Sequence, residues 1–226
     1  MDNKPSNLEL HDTSHISYES LLEGNQKFVE EALQEDPQFF TKLANGQTPP
    51  VLWIGCADSR VPADRITRTN PGEIFVHRNI ANVVVHTDLN LLSVLDYAVN
   101  VLKVKHVIVV GHYGCGGVQA AMGNKQFGLI DNWLRAIKDV YQKHAPELDA
   151  ITDEKTKFDR MVEFNVIEGV NNLCKTTIVQ GAWARSQELH VHGWVYALDT
   201  GLITDLKVNA SDSTGMDSIY QFEKKN

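Results

Sequence analysis

No apolar run in these 226 residues is long enough to cross a bilayer, so no transmembrane segment is expected. Cysteine is scarce: the three residues are odd in number and widely spaced, which argues against a disulfide scaffold at this size. Positive charge is in deficit, with 21 Lys and Arg against 29 Asp and Glu, a formal net charge of -8. A nucleic-acid partner therefore has no electrostatic support, and the basic residues are scattered apart from the Lys224-Lys225 tail. Internal repeats, low-complexity tracts and convincing domain linkers are all missing. Residues 1–14 are polar and lack the apolar core of a signal peptide. The expected compartment is the cytoplasm, with no membrane as partner.

What remains is an ordinary globular composition, 42% hydrophobic and 22% charged. The length suffices for one α/β domain with a substantial core. Residues 1–16 read as a polar tail and 17–226 as a single domain that opens with a helical arm over about 17–46. Ser17 is placed to cap a helix carrying Leu21, Leu22, Phe28, Val29, Ala32 and Leu33 on one face. Pro37 can open a second short helix and Gly46 can close it.

Short apolar runs at 51–54 and 107–110 predict buried strands, with a third strand at 74–76. A long helix is predicted over 88–105, and Asp131 is expected to cap another with Trp133, Leu134 and Ile137 inward. A further helix is predicted over 155–174. The segment 177–185 fits a helix by its period and a strand by its β-branched residues. Residues 189–198 and 202–208 predict a hairpin around Asp199-Thr200-Gly201. This alternation predicts an α/β fold: a mostly parallel central sheet flanked by helices, with a late antiparallel edge and an N-terminal helical arm.

Two stretches carry chemistry. Cys56-Ala57-Asp58-Ser59-Arg60 follows the first buried strand, and His112-Tyr113-Gly114-Cys115-Gly116-Gly117 follows the 107–110 strand. Carboxyl ends of strands are where open α/β sheets place their sites. If the two strands are neighbours, two thiols and an imidazole converge, and that set suits zinc. Three protein ligands leave a fourth position for water, as in a catalytic zinc site. The same spacing also fits a structural site closed by Asp58, or plain buried cysteines. Asp58 can coordinate the metal or be held away from it by a charge-assisted fork from Arg60. Gly114, Gly116 and Gly117 let backbone amides approach a small anion. Zinc with two thiolates and a neutral imidazole is formally uncharged, so better activity is expected at alkaline pH.

At these residues the sequence resembles the β-class carbonic anhydrases. The matching motifs are Cys-x-Asp-Ser-Arg at 56–60, Pro-Gly-Glu-Ile-Phe-Val-His-Arg-Asn-Ile-Ala-Asn at 71–82 and His-Tyr-Gly-Cys-Gly-Gly at 112–117, continuing in order through His192-Gly193-Trp194. The resemblance implies one zinc per subunit on Cys56, His112 and Cys115, with an Asp58–Arg60 dyad. It implies that zinc hydroxide attacks CO2 to give bicarbonate while Asp58 orients the hydroxide. It implies that Gln47 contacts substrate across a dimer interface, that Phe75, Val61 and Tyr97 wall the pocket, and that Gly116 and Gly117 lie at the substrate. Trp53, Arg78 and Tyr196 match the triad that forms a noncatalytic bicarbonate site in the bicarbonate-regulated subgroup, where bicarbonate would favour Asp58 on zinc. A homodimer or homotetramer is implied. Cys174 matches no ligand position, and His77 and His86 are proton-carrier candidates. Competing readings are a carbon disulfide or carbonyl sulfide hydrolase on the same scaffold, and a noncatalytic bicarbonate sensor. A redox pair is disfavoured because Cys56 and Cys115 are not Cys-x-x-Cys.

Overall fold

A computed structural model describes residues 13, 14 and 16–223. The Lys224-Lys225 tail and most of the 1–16 segment lie outside the described residues. The chain divides into two compact units, one ending at Gly46 and one beginning at Gln47.

In the first unit, helix α1 (Tyr18–Glu35) starts where Ser17 predicts it. Ser17 Oγ accepts from the Ser20 N–H at 3.1 Å, and Ser20 Oγ accepts from the Ser17 N–H at 2.8 Å. This reciprocal box satisfies two N–H groups that the first turn leaves unpaired. The apolar stripe forms, but in the single chain only Ala32 of α1 is buried, while Leu21, Leu22, Phe28 and Leu33 are exposed. The short α2 (Phe39–Ala44) returns its Phe39 and Phe40 rings to Phe28, edge-on at 6.2 and 5.9 Å. Gly46 follows the helix end at φ 127, a conformation that glycine adopts without a Cβ clash.

The second unit is built on five strands: β1 (Val51–Cys56), β2 (Ile74–Asn79), β3 (His106–His112), β4 (His190–Tyr196) and β5 (Ile203–Asp205). Their order is β2-β1-β3-β4-β5. The first four run parallel, and β5 pairs antiparallel with β4. Side chains alternate across the sheet. Leu52, Ile54, Cys56, Val107 and Val109 enter the main core. Trp53, Ile108 and Val110 enter a second cluster with Val61 and Ala63 on the opposite face. The main core is closed by α4 (Leu89–Asp96), α5 (Gly116–Met122), α6 (Ile130–Ala150), α7 (Glu154–Cys174) and α8 (Thr177–Ala184). The second cluster includes Ala63 and Ile66 of the short α3 (Ala63–Thr67).

Three sequence expectations are corrected. The helix predicted over 88–105 begins at its Asp88 cap but loosens into a π turn at Tyr97–Val101 and ends at Leu102. Lys103, at φ 59, reverses the chain so that Lys105 and His106 can both donate to Pro50 O and enter the sheet. Asp131 is not the cap of α6, which starts at Ile130. Its carboxylate reaches back to the Phe127 and Gly128 N–H groups at 2.9 and 3.1 Å and closes the preceding loop. The second arm of the late hairpin is only Ile203–Asp205, because Lys207 turns out at φ 60. The ambiguous 177–185 segment is helical: Thr176 caps it, and Val179 and Ala182 face the core.

Candidate metal centre

The chain runs from β1 outward to β2 and then crosses to β3 on the other side of β1. Strand order therefore reverses between β1 and β3, and a crevice opens beyond their carboxyl ends. Cys56 is the last residue of β1, His112 the last of β3, and Cys115 immediately precedes α5. The tertiary fold thus brings together three residues separated by up to 59 positions in sequence. One ligand atom from each lies within 4.8 Å of the others, and all three residues are buried.

The chemistry of the cluster is set by its hydrogen bonds. His112 Nδ1 lies 3.0 Å from Tyr113 O. A carbonyl only accepts, so Nδ1 carries the proton and Nε2 presents a lone pair. That Nε2 is buried and has no hydrogen-bond partner among the described residues. Such an atom is costly to leave unpaired in a core. The neighbouring Cys115 thiol pulls the Cys56 thiol well below its ordinary range, against the opposing effect of burial. Cys115 is pushed up, first by its hydrogen bond to Cys56 and then by burial, because a second thiolate would place two negative charges together. A dication removes that penalty. Donors around one tetrahedral zinc stand about 3.3–3.8 Å apart, which the observed cluster accommodates.

Asp58 stands beside this cluster, with Oδ2 3.7 Å from His112 Nε2. Arg60 holds it through the backbone N–H and Nε to Oδ1, at 3.0 and 2.9 Å, and through Nη2 to Oδ2 at 2.7 Å. The guanidinium fork keeps the Asp58 carboxyl well below the usual carboxylate range, although burial opposes this. In this structure Asp58 is therefore ionised and turned toward Arg60. Arg78 braces the same loop: its Nε donates to Cys56 O at 2.8 Å and its Nη2 to Asp58 O.

Residues 51–203 match the family model described as Carbonic anhydrase. The chain belongs to the β-class carbonic anhydrases, a family of enzymes. A carbonic anhydrase of Emericella nidulans is 50% identical over 193 residues, covering 85% of each chain. A β-carbonic anhydrase of Sordaria macrospora, described as tetrameric, superimposes with a TM-score of 0.82 at 42% identity, covering 85% of this chain and 98% of its own. A Coccomyxa β-carbonic anhydrase solved with acetazolamide gives a TM-score of 0.83 at 41% identity, covering 87% and 89%. These structures share the five-stranded architecture described above. Among the described residues, no helix is long and apolar enough to cross a membrane.

The other residues singled out in the sequence fall into separate places. Phe75 and Tyr97 pair with ring centroids 5.9 Å apart, whereas Val61 packs beside Trp53 on the opposite sheet face. Gln47 is exposed in the segment leading into β1. A Cβ on Gly117 would meet Ala81 Cβ at 3.0 Å, while one on Gly116 would meet nothing within 4 Å. Trp53, Trp194 and Tyr196 share the second cluster. The Trp53 indole lies over Gly55, whose register partner is Arg78, and its Nε1 is buried without a partner among the described residues. Cys174 is buried, and burial pushes its thiol up to about 12. His77 is buried, which lowers its pKa against the pull of Asp88, and His86 Nε2 bonds Asn172 O at 2.8 Å.

Sequence reasoning missed the Ile80–Asn82 turn behind Cys56 and the helix residues that hold it. Tyr113 was read only as part of a motif, yet its hydroxyl donates to Glu163 Oε1 at 2.9 Å. The available signal was Asn165, one of two polar residues, with Glu168, among the buried residues of α7.

Proposed function

We propose that this protein catalyses the reversible hydration of CO2 to bicarbonate and a proton, with one zinc ion per subunit held by Cys56, His112 and Cys115. The observation that carries this reading is the unpartnered, buried His112 Nε2 facing two buried thiols, with an ionised Asp58 alongside. Bound zinc supplies a Lewis acid that acidifies water and so provides a nucleophile near neutral pH. An ionised carboxylate can only accept hydrogen bonds. Asp58 therefore orients the attacking water by its O–H and leaves an oxygen lone pair for the carbon. Arg60 keeps the carboxylate off the fourth position, where it would displace water. The Phe75–Tyr97 pair is proposed as the apolar wall for CO2, with the Gly116 and Gly117 backbone beside the product anion. Gln47, exposed in the single chain, is proposed to serve a neighbouring subunit's site. A homodimer or homotetramer is supported by the tetrameric Sordaria relative and by the uncovered apolar stripe of α1. The cytoplasm is the proposed compartment, supported by three free thiols.

Bicarbonate is also proposed to inhibit, at Trp53, Arg78 and Tyr196. The supporting observation is the orphan Trp53 Nε1, a donor without an acceptor, near an arginine already tied to the Asp58 loop. An anion drawing on Arg78 would loosen Cys56 O and Asp58 O and favour the state with Asp58 on the metal.

Stopped-flow CO2 hydration by the zinc-loaded protein tests both proposals. Activity is expected to rise from neutral to alkaline pH and to fall with added bicarbonate. No hydration under any condition, with zinc bound, would exclude the carbonic anhydrase reading. Full activity in bicarbonate would exclude the inhibitory site alone.

A further inference from the structure

At the end of the sheet opposite the cysteines, three histidines share one face. His106 is the first residue of β3, His190 is the first of β4, and His192 lies two residues further on. His106 pairs in register with His190, and the strand period of two puts His192 on the same side as His190. The ring centroids stand 5.3 Å apart for His106 and His190, 5.2 Å for His106 and His192, and 6.2 Å for His190 and His192. The cluster is remote from the cysteine site: six residue steps along β3 separate His106 from His112, about 20 Å at the rise of a strand.

Hydrogen bonds fix where the lone pairs lie. His192 Nδ1 is 2.9 Å from Asn209 Oδ1. An amide oxygen only accepts, so Nδ1 carries the proton and His192 Nε2 presents a lone pair. His106 Nδ1 lies 3.1 Å from that Nε2 and supplies the proton between the two rings. Asn209 is itself held in place, because the next residue, Ala210, bridges Val191 through two backbone hydrogen bonds at 2.8 and 3.0 Å. An imidazole whose other ring N–H is bonded to a fixed acceptor is the arrangement found behind metal-ligating histidines. Two nitrogens at about 2.0–2.1 Å from one metal stand about 2.9 Å apart at a right angle and about 3.3 Å apart at the tetrahedral angle. The observed 3.1 Å falls between these spacings. The local charge also permits a cation. Lys105 is tied to Glu188 Oε2 at 2.7 Å, and Glu188 Oε1 stands 3.9 Å from His190 Nε2. Burial, with the neighbouring His192 and His190 rings, lowers the His106 pKa and keeps that ring neutral and able to ligate.

We propose that His106 and His192, with His190 beside them, form a second metal site that takes a divalent ion of the Ni2+, Cu2+ or Zn2+ class and ties the amino ends of β3 and β4 together. Imidazole suits these ions, whereas Mg2+ and Ca2+ prefer oxygen donors. The ion takes the place of the proton shared by the two rings. That proton moves to His106 Nε2, so both ligands stay neutral and no proton is released. The half-buried rings tilt to bring both lone pairs onto the ion, and water fills the positions that protein leaves open. The site stands apart from the cysteine cluster, and CO2 hydration does not need it.

The test is equilibrium dialysis of the zinc-loaded, untagged chain against Ni2+, with nickel and zinc both counted and the nickel edge read by X-ray absorption. One Ni2+ per subunit is expected, with zinc retained and scattering from at least two imidazoles. His192→Phe keeps a ring but no ligand. Loss of an outer partner alone weakens a bound metal, so loss of this ligand is expected to weaken Ni2+ about 100-fold or more. His106→Phe is expected to do the same. Asn209→Leu leaves both ligands, frees the His192 tautomer and is expected to weaken Ni2+ about 10- to 100-fold. CO2 hydration is expected to stay unchanged in all three variants. No Ni2+ bound at millimolar concentration, or fewer than two imidazoles on it, would overturn the proposal. So would unaltered affinity in both His192→Phe and His106→Phe, which places the ion on other side chains. Nickel that binds only as zinc leaves belongs to the cysteine cluster and would overturn it equally.

Discussion

Arg60→Ala tests the proposal that Arg60 keeps Asp58 away from a metal held by Cys56, His112 and Cys115. Arg60 makes three hydrogen bonds to Asp58, and the substitution removes the two from its side chain, at 2.9 and 2.7 Å, leaving the backbone N–H bond at 3.0 Å. A hydrogen bond to a charged group contributes about 1.5–3 kcal/mol net. The Arg60 side chain is 59% exposed, so solvent screening discounts the pair. The two bonds are therefore taken together as about 1.5–3 kcal/mol, not twice that. Asp58 Oδ2 already stands 3.7 Å from His112 Nε2, so on the proposed reading the loss of the fork would free it to reach a metal held there. Losing the fork shifts the balance toward that position by roughly ten- to 150-fold. The expected result is a loss of kcat/KM for CO2 hydration of about tenfold or more, with zinc content unchanged. X-ray absorption at the zinc edge should show a carboxylate oxygen in place of water. Arg60→Lys should recover only part of the rate, because a point charge cannot reproduce the planar fork. An Arg60→Ala enzyme within about twofold of the original rate, with one zinc bound, would refute the reasoning.

Three further outcomes follow from the geometry. Trp53→Phe should remove the buried orphan N–H and weaken bicarbonate inhibition about tenfold or more, as expected for one lost hydrogen bond to an anion; inhibition constants from stopped-flow decide it, and an unchanged constant counts against the site. Gly111→Ala should destabilise by about 1–3 kcal/mol through overpacking, because its Cβ would lie 2.6 Å from Val166 Cγ2 on α7; an unaltered melting temperature would show that α7 yields freely. Glu168 is buried, which raises its pKa, but hydrogen bonds from Lys143 and His144 outweigh this and hold it below the ordinary glutamate value. A carboxyl lowered on folding contributes stability above its unfolded pKa and loses it as pH falls through the folded value. Denaturant midpoints should therefore fall on acidification below about pH 4.5, and Glu168→Gln should flatten that limb; an identical acid limb in the variant would rule the pair out as its source.

Much of this protein is legible in its sequence because local patterns encode it. The continuous apolar runs of β1 and β3 announce buried strands, and the Cys-x-Asp-Ser-Arg and His-x-x-Cys segments directly after them announce a site at strand ends. Ser17 and Asp88 mark helix starts because capping depends on only a few neighbouring residues, whereas Pro37 lies in the turn before α2, which begins at Phe39. The 177–185 segment stayed ambiguous for the converse reason: its period and its β-branched content disagree, and only burial of Val179 and Ala182 against the core decides for helix.

Tertiary structure alone decided the rest. Periodicity says that β1 and β3 are buried, but only the pairing of Val51–Gly55 with His106–Val110 makes them neighbours and so gathers Cys56, His112 and Cys115. The Asp58–Arg60 fork, between residues two apart, was one of two local options in the sequence, but no local signal tells Arg78 to hold the Cys56 and Asp58 carbonyls, because that depends on which partners the fold brings within about 3 Å. The left-handed Ala81 is still less legible, since alanine does not favour that conformation; the Trp133 indole on α6 and the Asn165 amide on α7, far along the chain, hold the turn. Sequence by itself determined which residues could do chemistry and on which elements they lie. The long-range packing of helices on the sheet determined which of them meet, because hydrogen-bond partners are chosen by distance in space and not by separation along the chain.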